Sequence, residues 1–380
     1  RTLLAFNRGY IDDPTRPTLS LSFKDPLGGL VTDFRPVQTR VPPFFANMLP
    51  EGSMRDYLAE RAGVNPRREF FLLWVLGQDL PGAVSIRPAD GEAWPPDAED
   101  RDEDAEQRRE RALRFSLAGV QLKLSAAMDA TGGLTIPAHG VGGEWIVKLP
   151  LSRFESVPEN EHAMMSLAGA IGMDVPEMKL IAIDDIGGLP RDIGPLKGQA
   201  LAVRRFDRSD AGPVHIEDFA QVFGVFPGSK YKKASYRNIA EVIAAESGPR
   251  DIAEFIRRLV FSVLIGNADM HLKNWSLTYP DRRTVRLAPA YDLLATIPYI
   301  RDDKAALTIG RSKRFDDFTL DELAYLAGKA RLPEKLVLDT AKETVARFHE
   351  LWRTQGRDSL PRALVAPIEA HLRKVPVAMA

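Results

Sequence analysis

The sequence contains no cysteine. Disulfides and thiolate metal sites are therefore excluded, and the chain suits a reducing cytoplasm. Histidine is scarce. The six residues, at 139, 162, 215, 271, 349 and 371, form no His-x-x-x-His or His-Glu-x-x-His pair, so a zinc site is not expected. No apolar run approaches the roughly 18–20 residues that span a bilayer, so no membrane partner is expected. A Walker A sequence is absent from the whole chain. Net charge is nearly absent too: 51 basic residues stand against 52 acidic ones, which leaves no global positive field to bind nucleic acid directly. There is no internal repeat of solenoid period. No signal peptide is visible, and Arg1 is not a natural start, so an N-terminal segment is expected to be missing.

What is present fills 380 residues with 44% hydrophobic and 27% charged side chains, room for two or three domains with real cores. The first ninety or so residues read as a small mixed domain. Leu19–Phe23 alternates like a strand. Phe44–Pro50 is an apolar patch, and a helix carrying Phe70, Leu73, Trp74 and Leu76 stops at Gly77. From about Ala89 to Arg114 acidic residues lead and arginines follow, as in a solvated linker helix aligned with its dipole. Strands are then expected at Val120–Ala127 and Glu144–Leu149, with Thr131-Gly132-Gly133 as a hairpin turn. A helix over Pro158–Ile171 and strands at Met178–Asp184 and Gln199–Phe206 follow. Beyond Ile216 the pattern is mostly helical. Its clearest helix, Asp251–Ile265, places Ile252, Phe255, Ile256, Leu259, Val260, Val263 and Leu264 on one wide buried face and ends at Gly266. The fold class expected is α+β: a β-rich lobe, then a helical lobe with a crevice between them, as in a protein kinase, plus the small mixed N-terminal subdomain. The boundaries are 1–95, a charged linker 96–114, a β-rich lobe 115–206 and a helical lobe 207–380.

The chemistry is concentrated just after that helix, in Gly266-Asn267-Ala268-Asp269-Met270-His271-Leu272-Lys273-Asn274. Asp269, at a fixed place past the helix end, can accept a hydrogen bond from a substrate hydroxyl and hold it in line with a γ-phosphate. Lys273 can neutralise charge on the moving phosphoryl group. Asn274 offers a neutral oxygen to magnesium, a hard cation. Asn and Asp also cap turns after helices, which is the plainer reading of each alone. His271 is read as structuring the loop beside bound nucleotide. Asp292, in Ala290-Tyr291-Asp292-Leu293, would return to this loop through a strand pair about Asp281 and supply the second magnesium ligand; alternatively it begins a helix as N-cap.

Lys148, in Trp145-Ile146-Val147-Lys148, ends an apolar strand, where a kinase places the lysine that holds the α- and β-phosphates. Its partner would be Glu161 on the next helix, with Glu159 as the fallback. Ser116-Leu117-Ala118-Gly119-Val120-Gln121-Leu122-Lys123-Leu124-Ser125 would be the phosphate loop, with Gly119, Val120, Gln121 and Lys123 lining it, although it has one glycine rather than three. Arg204 and Phe206, within Val203–Arg208, would lie at a hinge where backbone groups read adenine. Glu217-Asp218-Phe219 is a candidate helix start lining the crevice.

Together these segments resemble the HipA family of bacterial serine/threonine kinase toxins. The matching pieces are the Ser116–Ser125 and Ile146–Pro150 segments, Glu159-Asn160-Glu161, Arg205–Arg208, Glu217–Phe219, Asn267–Asn274 and Tyr291-Asp292; Phe44–Pro50 and Gly82–Val84 look like that family's smaller domain. The resemblance implies ATP and Mg2+ as cofactors, Asp269 as catalytic base, Asn274 and Asp292 as magnesium ligands, Lys148 on the ATP phosphates and Ser116 as an inactivating autophosphorylation site. It also implies a helix-turn-helix antitoxin, HipB, through which alone DNA would be contacted, and a protein substrate, glutamyl-tRNA synthetase being the family's best known. A phosphate on Ser116 adds about −1.5 to −2 charge to a loop meant for ATP phosphates, so phosphorylated protein should bind ATP poorly. The alternatives are a small-molecule or lipid kinase, and a catalytically weak co-repressor acting through its DNA-binding partner.

Overall fold

The computed structural model describes residues 2–89, 123–128, 134–136, 143–151, 153–189, 196–301 and 303–380. Ser116, Gly119, Val120 and Gln121, the charged segment 96–114 and the turn at 131–133 lie outside them. By packing, the chain forms two units that are not linear in sequence: residues 1–149, 181–227 and 278–283 in the first, and 150–180, 228–277 and 284–380 in the second. The expected segments 115–206 and 207–380 are each shared between the two. The expected β-rich segment thus gives up its helix, Val157–Ile171, which packs on the helix Glu334–Leu351 of the second unit.

The first unit is organised around a six-stranded sheet. Its strands are β1 (Lys123–Met128), β2 (Leu134–Thr135), β3 (Trp145–Lys148), β4 (Met178–Ala182, of which Ile181 and Ala182 belong to this unit), β5 (Ile186–Gly187) and β6 (Gln199–Arg204), in the order β4-β6-β3-β1-β2-β5. The antiparallel registers Leu124↔Val147 and Val147↔Ala202 put alternate residues on one face. Leu124, Ala126, Trp145, Val147 and Ala202 of that face join a core with Phe23, Phe44, Met48, Leu49, Leu58, Leu72 and Leu76. Phe44–Pro50 is buried as its composition suggests, around the helix Pro43–Ala46.

Two local expectations change. Leu19–Phe23 is not a strand: Leu21–Phe23 is a single 3-10 turn, because the Ser20 hydroxyl accepts from the Ser22 amide and bends the chain there. The helix Glu69–Leu76 forms and Gly77 caps it, but Phe70 is half exposed while Leu72, Leu73, Val75 and Leu76 fill the core.

The second unit is helical. The helix Pro249–Leu264 carries the predicted apolar face, and its C-cap Ile265 is followed by Gly266 at φ 65°. A Cβ on Gly266 would lie 2.9 Å from Cβ of Ile297, so a side chain there meets both strain and a clash. Among the described residues no helix is long and apolar enough to cross a membrane.

Candidate active site

The loop after Pro249–Leu264 is fastened from within. The Asn267 side chain accepts from the Asp269 amide at 3.0 Å, and the Asn274 amide donates to the Asp269 carbonyl at 2.7 Å. That second bond uses the nitrogen of Asn274, so its carboxamide oxygen points the other way. The Tyr236 hydroxyl, buried and pushed above the usual phenol range by that burial, donates to the Met270 carbonyl at 2.9 Å. The Asp269 carboxylate itself is half open, with 49% of its side chain exposed. It accepts from the Tyr231 hydroxyl at 2.5 Å, and His271 Nε2 lies 4.0 Å away.

The segment bearing Asp292 is tied to the same loop on both sides. Before it, the Tyr291 hydroxyl donates to the Lys273 carbonyl at 2.9 Å and meets the Ser276 hydroxyl at 2.5 Å. After it, the Thr296 hydroxyl donates to the Gly266 carbonyl at 3.0 Å and accepts from the Ala268 amide at 2.8 Å. The route there is set by polar residues buried on the preceding helix: Asp251 accepts from the Leu287 amide at 3.0 Å, and Arg258 donates to the Ala288 carbonyl at 2.7 Å. Asp292 has a left-handed backbone, φ 54°, unusual for a non-glycine residue. No helix begins at Asp292, so the N-cap alternative falls away. The strands Ser276–Tyr279 and Arg286–Leu287 lie on either side of Asp281, as expected.

Glu161 is buried on the helix Val157–Ile171. Its neighbour Asn160 forms a two-point bond with the peptide of Ala295, donating to the carbonyl at 2.8 Å and accepting from the amide at 3.1 Å. This helix is thereby joined to the Asp292 segment within the second unit.

In the first unit Lys148 is buried and sits directly across from Lys123, its Cα partner. The two side chains leave the sheet on the face opposite the core, with Ser125 and Ile146. The pairing thus sends two cationic side chains to one face of the sheet. Arg204 ends β6 and is exposed; Phe206 is partly buried. The next residues form a closed ionic network: Arg205 bonds Asp79 and Asp207 at 3.0 Å each, and Arg208 bonds the same two carboxylates at 3.0 Å. Glu217 does not line a surface. It is fully buried in the first unit, while Asp218 caps the short helix Phe219–Val222 in a capping box with Gln221.

Sequence reasoning singled out Asp269, Asn274, Lys273, His271 and Asp292, which the second unit carries on one loop and the segment fastened to it. It missed Tyr231 and Asn160 as partners of that assembly. Asn160 stands inside Glu159-Asn160-Glu161, and burial of an amide in an amphipathic helix was the available signal. For Tyr231 there was none.

Comparison with known proteins places the whole chain. Residues 1–87 match the HipA N-terminal domain family and residues 115–352 the HipA-like C-terminal domain family. The sequence is 61% identical over 375 residues to "Putative kinase Y4dM" of Sinorhizobium fredii (strain NBRC 101917 / NGR234), spanning 98% of this chain and 91% of that protein. It is 26% identical over 377 residues to the serine/threonine-protein kinase toxin HipA of Shewanella oneidensis, across 89% of this chain and 81% of the relative. A solved Shewanella oneidensis MR-1 structure, HipA with HipB and its operator DNA, superposes with a TM-score of 0.71 at 22% identity, covering 99% of this chain and 93% of that one. The fold is accordingly the α+β, protein-kinase-like fold, and the chain belongs to the HipA family of toxin–antitoxin kinases and is a protein kinase.

Proposed function

We propose that the chain is an ATP- and Mg2+-dependent serine/threonine-protein kinase toxin that arrests growth by phosphorylating a component of translation. One observation carries the reading: Asp269 is held half open on a loop fastened at both ends by the segment that bears Asp292. In this role Asp269 accepts the hydrogen bond, and then the proton, of a serine or threonine hydroxyl. Asn274 and Asp292 would hold Mg2+; one amide oxygen and one carboxylate form the donor set this ion takes when phosphates complete its shell. Lys148 and Lys123 would take the ATP phosphates, with Glu161 orienting Lys148, and Lys273 would offset charge on the transferred group. Gly119, Val120, Gln121, Arg204, Phe206 and His271 remain candidates for nucleotide contacts. When bound, ATP supplies the phosphoryl group and Mg2+ screens its charge.

By family resemblance the target is an aminoacyl-tRNA synthetase of glutamyl type, and Ser116 is the site of inactivating autophosphorylation. The relative solved with HipB and operator DNA supports a helix-turn-helix antitoxin as partner, with DNA contacted only through it; the net charge of −1 accords with that. A cytoplasmic location follows from the proposed target. The test is incubation of the chain with labelled ATP and Mg2+ in a bacterial extract, followed by mass spectrometry. A labelled synthetase peptide, absent with Asp269→Asn, is the expected result. Label on lipid or small molecules alone overturns the protein-kinase target. Equal ATP affinity by calorimetry with and without phosphate on Ser116 would remove the switch.

A further inference from the structure

Asp269 has a partner that comes from far outside its loop. The Tyr231 hydroxyl donates to Oδ1 at 2.5 Å across 38 residues of sequence. Tyr231 is itself pinned at several points. Its ring stands edge-on to His271, with centroids 4.9 Å apart and planes at 81°. Its carbonyl accepts from the Lys313 ammonium at 3.1 Å, and that ammonium also donates to the Ala306 carbonyl at 2.7 Å. The carbonyl just before it, on Lys230, accepts from the Leu272 amide at 3.4 Å. Five positions on, Tyr236 holds the Met270 carbonyl. One short segment thus grips the loop at the carboxylate and at the adjacent peptide.

A half-exposed aspartate has several staggered rotamers, and only some present the carboxylate to an incoming group. A hydrogen bond from a phenol to an ionised carboxylate is charge-assisted and strong enough to select one of them. With one oxygen held by the phenol, the orientation of the whole carboxylate, half exposed to solvent, is set. The pinning of ring and backbone makes Tyr231 a fixed support rather than a gate that swings aside.

We propose that Tyr231 is a positioning residue for phosphoryl transfer: its hydroxyl fixes the orientation in which the Asp269 carboxylate meets the acceptor. The proposal rests on the reading of Asp269 as base, and the experiment separates the two. The probe is γ-labelled ATP with Mg2+ and the proteins of a bacterial extract, with the initial rate of label transfer measured over a range of ATP concentrations. Tyr231→Phe keeps the ring and its contact with His271, and thermal melting checks that it folds like the parent. The maximal rate is expected to fall about 10- to 100-fold, because a misplaced reacting group costs about that much. The ATP concentration at half-maximal rate should stay within about twofold, since ATP binding is not what the hydroxyl serves. In an Asp269→Asn background, adding Tyr231→Phe should change the residual rate by less than about twofold, because the two groups act as one unit. A Tyr231→Phe rate equal to or above the parent's overturns the proposal. So does an undiminished loss in the Asp269→Asn background, which would mean that Tyr231 acts without Asp269. An Asp269→Asn protein as fast as the parent overturns the base assignment, and the proposal with it.

Discussion

Glu217 in the first unit and Asp269 in the second each accept a tyrosine hydroxyl, from Tyr279 and Tyr231 respectively. The surroundings differ. Glu217 has 0% exposure and also accepts from the Ser20 hydroxyl at 2.5 Å and the Leu21 amide at 3.0 Å. Burial pushes its carboxyl up to about 7, against the pull of those three donors. Asp269 keeps 49% of its side chain in solvent. The same contact therefore serves two ends. A carboxyl whose oxygens are all taken ties distant parts of the chain together. One that keeps half its surface in solvent can meet a substrate. The ionic network of Asp79, Arg205, Asp207 and Arg208 extends the first case: every charge is matched, and the group is buried for architecture.

The comparison is most exposed at the two carboxyls themselves. Asp269→Asn should lower phosphate transfer by about 10²–10⁴-fold, the usual contribution of a general base, while Glu217→Gln leaves the rate nearly unchanged. An equal loss in both variants, measured as label transfer into extract proteins, would erase the distinction. Next in size is the network. Arg205→Ala leaves Asp79 and Asp207 buried without their main cation and should cost about 3–5 kcal/mol in urea unfolding. Burial works to raise the Asp207 carboxyl, yet the bonds and charge of Arg205 and Arg208 hold it below its ordinary 3.8. Its contribution is thus present above about pH 4 and is lost as pH falls through the lowered folded value.

Glu217 has the opposite sign. Its folded value lies above the ordinary 4.5, so it binds a proton in the folded state that the unfolded chain has released. The associated stability is complete below about pH 4.5 and is lost as pH rises through about 7, a change on the order of 3 kcal/mol. Glu217→Gln, which imitates the protonated acid, should flatten that loss; unfolding free energies of parent and variant in urea between pH 5 and pH 8, expected to diverge by roughly this amount, test it. The smallest effect is expected at Asn160→Ala. It strips two hydrogen bonds from the buried peptide of Ala295 and should cost roughly 1–3 kcal/mol, read by the same unfolding assay.

How much of this the sequence disclosed depended on distance along the chain. The Asp269–Asn274 loop was legible because a helix with an unbroken apolar face ends at a glycine and polar residues follow at once. Lys148 was legible because a lysine closing an apolar strand needs a reason. Lys123 facing it could be read only once the strands were paired. Glu217 was read as lining a crevice, since its partners Ser20 and Tyr279 lie 197 and 62 residues away and no local pattern announces them. Leu19–Phe23 failed for a related reason: alternation predicts a strand, and a serine hydroxyl bonding backbone two residues on turns it into a bend. Tyr231 gave no sign at all, as a tyrosine in a polar turn looks like any other until the fold brings it to Asp269.

The Lys123–Lys148 pairing has a consequence for assembly. Leu124 and Val147, the next pair along, belong to the core, so on these two strands an apolar pair facing the core stands next to a lysine pair facing away from it. A slip of one residue would drive a lysine into the phenylalanine cluster and carry a leucine out of it. Misassembly at this sheet should therefore show as aggregation during expression rather than as a sluggish enzyme, and the soluble fraction of a preparation would be self-sorted for correct strand pairing.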